Sequence, residues 1–126
     1  MNSALALDAG ALIAFERHDR RVIALISETM AMGRLVLVPT GVIGQVWRDG
    51  RRQARLARLL SSPQVRIVPL DDRRAREAGQ LCGVVGTSDV IDASVVCAAR
   101  AHRAAVATSD PGDLTLLDAS VRLIVV

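Results

Sequence analysis

Five short aliphatic runs, separated by stretches of helical periodicity, set the tightest limit on how this chain folds. The runs lie at residues 4–7, 35–38, 65–70, 104–107 and 121–126. They are aliphatic or β-branched on both faces, as strands buried in a parallel sheet are. Helical patterns occupy 11–15 and 21–32, then 42–60 with a breaking signal at Asp49-Gly50, then 73–84, 90–102 and a short piece at 114–117. Strands alternating with helices predict an α/β sandwich around a mainly parallel sheet. A chain of 126 residues suits one domain, 1–126, with a core of its own. No repeat array or low-complexity tail divides it.

The acids fall at the ends of these runs. Asp8 directly follows the first run, and Asp110 closely follows the fourth. In open α/β sheets, ligands gather at the carboxyl ends of strands. If the first and fourth strands are neighbours, Asp8 and Asp110 meet at one edge. Asp89 and Asp92 start the helix that leads into the fourth strand, and a spacing of three puts both on one face.

Ser88-Asp89-Val90-Ile91-Asp92 and Ser109-Asp110-Pro111-Gly112-Asp113 share one spelling. Capping explains much of it. A leading Asp accepts free helix amides, a second acid complements the dipole, and Pro111 suits a first helical position. Asp113 reads mainly as a cap. Asp92 fits capping less well, because it heads a helix apolar nearly all round. Asp8 lies between two apolar triplets, where a charge is costly unless paired or metal-bound.

Converging carboxylates repel, and some would take up protons near neutral pH. A hard divalent cation relieves that conflict, and oxygen donors suit Mg²⁺ or Mn²⁺ rather than Zn²⁺. His18 and His102 lack metal-ligand spacing to each other or to a cysteine and read as surface or helix-end residues. Cys82 and Cys97 read as buried thiols. An all-acid metal cluster is common equipment for phosphodiester hydrolysis.

Composition narrows the chemistry. All sixteen basic residues are Arg. The absence of Lys excludes a Schiff base, a P-loop and the late-strand lysine of a phosphoacceptor receiver. Asp8-Ala9-Gly10 also lacks the second acid of a phosphatase D-x-D. With Phe15 and Trp47 as the only aromatics, the platforms are missing and nucleic-acid binding by aromatic base stacking is not expected. Arg48, Arg51, Arg52, Arg55 and Arg58 recur at spacings of three and four, which predicts a basic stripe on a helix. Such a stripe is either a solvated face or a phosphate-contacting one, with Arg48 and Arg51 as the substrate contacts. It would also suit an acidic partner tail. Met30 and Met32 read as core packing rather than a partner surface. The first residues carry no basic leader, and Asp8 interrupts the apolar run. Neither signal peptide nor membrane span is expected, and the expected location is cytoplasmic.

Leu7-Asp8-Ala9-Gly10-Ala11-Leu12-Ile13-Ala14, Asp89-Val90-Ile91-Asp92-Ala93-Ser94-Val95 and Thr108-Ser109-Asp110 together resemble a PIN domain. Length and spacing resemble more closely the VapC toxins of bacterial toxin–antitoxin pairs. The resemblance covers essentially the whole chain and is carried by the order of the motifs rather than by any one of them. It implies a five-stranded sheet ordered 3-2-1-4-5. It also implies a dimeric, Mg²⁺- or Mn²⁺-dependent endoribonuclease that cuts structured RNA such as tRNA or rRNA, leaves 5′-phosphate and 3′-hydroxyl ends, and is held by a VapB-type antitoxin.

By position, Asp8, Asp89 and Asp110 match the family's metal-binding acids, and Thr108 matches the hydroxyl residue beside the last. Asp92 is an additional acid expected to contribute. One departure stands out: Gln45 falls where the family carries a Glu. An amide oxygen can ligate but carries no charge, so Asp92 is expected to supply the missing negative charge. The departure also admits a second reading, a catalytically weak or inactive PIN module that binds RNA or a protein.

Overall fold

The computed structural model describes residues 4–126. Its strands are β1 (Leu5–Leu7), β2 (Val36–Pro39), β3 (Val65–Val68), β4 (Ala105–Thr108) and β5 (Leu123–Val125). Its helices are α1 (Ala9–Glu16), α2 (Arg20–Ala31), α3 (Thr40–Val46), α4 (Ala54–Leu60), α5 (Asp72–Val85), α6 (Val90–His102) and α7 (Pro111–Leu117). The sheet runs β3-β2-β1-β4-β5, and every pairing in it is parallel. The predicted α/β class and strand order are therefore the observed ones.

Burial follows position in the sheet. β1, β2 and β4 are buried along their whole length, as central strands covered by helices on both faces are. β3 and β5 are edges and only partly covered. Arg66 and Ile67 of β3 face solvent, contrary to the expectation of five strands buried on both faces. The core is aliphatic, built on Leu7, Leu12, Leu37, Val95, Val96 and Val106 among others. Helix α6 is buried from Ala93 to Ala99, as its continuous apolar sequence requires. Cys82 and Cys97 are buried free thiols on α5 and α6. Met30 packs against the core, whereas Met32 is exposed.

Local chemistry sets the helix ends. The Asp19 and Asp71 carboxylates accept the first free amides of α2 and α5. Helix α5 stops at Gly86, whose φ of 85° lets the chain turn left-handed while its amide donates to the Cys82 carbonyl. His18 lies in the turn between α1 and α2, and the His102 ring pairs with the Ala98 carbonyl at the end of α6.

The segment 42–60 departs from expectation. It forms two short helices, α3 and α4, joined by a tight turn. Trp47 is extended and ends α3, and the Asp49 carboxylate accepts the Arg51 amide. Gln53 binds the turn together: its amide oxygen accepts from the Arg48 and Asp49 backbone, and its amide nitrogen donates to Val46 and to the Glu16 carboxylate. The five arginines therefore do not make one helical stripe. Arg48, Arg51 and Arg52 lie in the turn, and only Arg55 and Arg58 lie on α4. Among the described residues, no single helix is long and apolar enough to cross a membrane.

Candidate active site

The parallel register pairs Leu5, Ala6 and Leu7 of β1 with Ala105, Val106 and Ala107 of β4. The next residues, Asp8 and Thr108, therefore stand level at the carboxyl ends of two central strands. The Asp8 amide donates to the Ala107 carbonyl at 3.3 Å. Asp8 is buried, yet it is held as a carboxylate-bearing cap: Oδ1 accepts the Ala11 amide at 2.9 Å. Thr108 is fully buried beside it. Its hydroxyl bonds the Asp8 carboxyl and accepts the Asp110 amide at 2.9 Å. One side chain thus joins the first and last acids of the site. Burial pushes the Asp8 carboxyl above its ordinary range, while the hydrogen bonds from Thr108, Ala11 and Gly10 pull against that rise.

Close packing brings the loops in. A side-chain carbon at Gly10 would strike the Ser109 hydroxyl, and one at Gly41 would strike the Ile91 side chain. These glycines let α1 approach the loop after β4, and let α3 approach the start of α6.

Asp89 caps α6 by accepting the Asp92 amide at 3.0 Å. Asp92, one turn in, is half-buried and carries the largest perturbation of the site. Its pKa is pushed up to about 7 by desolvation, then by the charge and hydrogen bond of Asp89 and the charges of Asp8 and Asp113. Asp110 occupies the cap position of α7 but makes no side-chain cap bond, which leaves its carboxylate for other work. Asp113, fully exposed, is raised first by a hydrogen bond and charge from Asp110, then by Asp89. Asp8, Asp89, Asp92, Asp110 and Asp113 are thus electrically linked into one group. Asp113, read mainly as a cap, lies in the first turn of α7. A cavity of about 210 Å³ opens over Asp89, Asp92 and Asp113, walled by Val85, Leu116 and Leu117.

The donor set fits a hard cation. It offers only oxygens, and its mutual repulsion would be relieved by positive charge. Among the described residues, no three acids stand where they would close around an ion unaided.

The remaining candidates lie elsewhere. Gln45 is exposed and lines a shallow concavity with Ile13, Glu16, Arg17, Val46 and Arg48. It is not among the groups that perturb Asp8 or Asp92. Arg48 turns its Nη1 back onto the Gly44 and Trp47 carbonyls, closing the end of α3. Arg51 is exposed. Sequence reasoning passed over Glu16 and Gln53, which organise this concavity. Their signal is a contact 37 residues apart, invisible to local spacing.

A PIN domain model matches residues 5–118. No curated protein sequence matches the chain. Solved structures resemble it in fold. VapBC2 from Rickettsia felis, crystallised with a DNA fragment from its promoter, aligns over 98% of both chains at 15% identity, with a TM-score of 0.71. FitAcB from Neisseria gonorrhoeae aligns over 95% of this chain and 96% of its own at 21% identity, with a TM-score of 0.64. FitAB bound to an IR36 DNA fragment aligns over 95% and 93% at 18% identity, with a TM-score of 0.65. With its sheet order, its acids at the ends of β1 and β4, and a family match over nearly its whole length, this chain belongs to the PIN domain family.

Proposed function

We propose that this chain is a metal-dependent endoribonuclease, the toxin of a VapC-like toxin–antitoxin pair acting in the cytoplasm. The observation that carries the reading is the linked group of five carboxylates, Asp8 after β1, Asp89 and Asp92 at the start of α6, and Asp110 and Asp113 at the start of α7. Family membership supports nuclease chemistry, and the named neighbours are toxin–antitoxin complexes. Asp8, Asp89, Asp92 and Asp110 would hold Mg²⁺ or Mn²⁺. When bound, such an ion polarises a phosphate oxygen and favours ionisation of water near neutral pH. Thr108 orients Asp8 and steadies the loop that carries Asp110. The burial and neighbouring acids that push Asp92 up to about 7 would be offset by a bound cation, which favours its charged form. Arg48 and Arg51 would contact RNA phosphates. A VapB-type antitoxin and a second copy of the chain are the proposed partners.

The uncharged Gln45 favours a second reading, a PIN module that binds without cutting. Incubating purified protein with total tRNA and rRNA in Mn²⁺ or Mg²⁺ separates the two. Cleavage that disappears in Asp8→Asn supports the nuclease. A folded protein that cuts neither RNA in either metal leaves only the binding module.

A further inference from the structure

Trp47 is the only tryptophan in a chain without tyrosine, and the residue is 37% exposed. An exposed indole on so aliphatic a protein calls for an explanation, and the turn that carries it supplies one. A side-chain carbon at Gly50 would come within 2.9 Å of the ring, so the backbone there lies flush against the indole and holds it from one side. The Trp47 amide donates to the Ile43 carbonyl, and its own carbonyl accepts from Arg48. Gln53 then fixes residues 46, 48 and 49 to one another and to Glu16 on α1. The ring is therefore presented by a rigid turn rather than by a loose loop.

The charge around it is positive. Arg48, Arg51 and Arg52 share the turn with a single acid, Asp49, and Arg17 faces the concavity next to it. Arg52 meets Asp49 only at 3.9 Å, with both side chains largely in solvent. Arg51 makes no side-chain hydrogen bond or ion pair among the described residues. A flat apolar face beside exposed guanidinium groups matches a nucleotide, which offers a base to stack and a phosphate to pair.

We propose that Trp47 is a stacking platform for one unpaired base of RNA, with Arg51 and Arg52 on the flanking phosphates. This rests on the ribonuclease reading but concerns holding the strand rather than cutting it.

The lone Trp makes its own probe. A short single-stranded oligoribonucleotide, titrated in Ca²⁺, is expected to quench the intrinsic emission saturably. Trp47→Leu is expected to weaken binding about tenfold or more, read by anisotropy of labelled RNA, and Trp47→Phe to recover most of it. Circular dichroism of both variants confirms that they fold. Unchanged emission, or a Trp47→Leu affinity within twofold of wild type, overturns the proposal. Quenching by a polyglutamate peptide equal to that by RNA also overturns it, because the surface then belongs to an acidic protein. Quenching by RNA in a protein that cuts neither tRNA nor rRNA in Mn²⁺ or Mg²⁺ would sink the nuclease reading and leave this one standing as binding alone.

Discussion

The buried Thr108 hydroxyl bonds the Asp8 carboxyl across the β1–β4 pair, while its oxygen accepts the Asp110 amide. Neither acid has to be near the other in sequence, because one threonine holds both. Thr108→Val keeps the shape but removes both bonds. Asp8 then loses a hydrogen bond that lowers its pKa, so its pKa rises further and it binds cations less readily. Such outer-shell losses cost about 10–100-fold in metal affinity or activity. Thr108→Ser retains the hydroxyl and is expected to stay near wild type. Calorimetric Mn²⁺ titrations of the two variants check this.

Asp92 makes metal-free stability depend on pH in an unusual direction for a carboxylate. Its native pKa lies above its ordinary value of 3.8, at about 7, so the folded state binds more protons than the unfolded state between those values. Stability then falls as pH rises from about 4 to about 7. Thermal melts in chelator are expected to show Tm decreasing over that window. Asp92→Asn should flatten the slope, and Mg²⁺ should restore Tm at pH 7.5. A Tm that climbs with pH in chelator would contradict the linked cluster.

Gln45 offers a test in which sequence and structure expect different outcomes. From the sequence alone, Gln45→Glu repairs a missing ligand and should tighten metal binding. In the structure, Gln45 shares its concavity with Glu16 and Arg17, outside the linked acids. The expected result is Mn²⁺ affinity within about threefold of wild type, a change smaller than one lost outer-shell partner brings. A gain of tenfold or more would show that α3 reaches the acids.

Arg55 predicts a gain in stability. Its Nη1 is buried and has no hydrogen-bond partner among the described residues. An unsatisfied buried donor costs about 1–3 kcal/mol. Arg55→Met keeps the apolar stem and removes the orphan group, so Tm should hold or rise by a few degrees. A clear fall in Tm would mean that this guanidinium has a role in folding.

What was legible in the sequence follows from how local each signal is. Helix α6 could be read from its own residues, because a run apolar on every side is buried wherever it lies. The strand order came from the PIN resemblance, and with it the meeting of Asp8 with Asp110. The turn at 47–53 was misread for a physical reason. Arginines spaced by three and four satisfy a helical pattern, while the bonds that break the helix run from Gln53 to Glu16 and to the backbone. That Asp110 leaves the cap of α7 unmade and interacts with Asp113 is disclosed only by geometry.

The parallel pairing of β1 with β4 works as a ruler. A slip of one residue would turn Asp8 to the opposite face of the sheet while leaving the same number of strands and helices. Far-ultraviolet spectra would barely notice such an error. A divalent ion would, because only the correct alignment brings Asp8 beside Thr108. Under the proposed metal-dependent chemistry, metal affinity is therefore the sharpest gauge of whether a variant of this protein has folded in register.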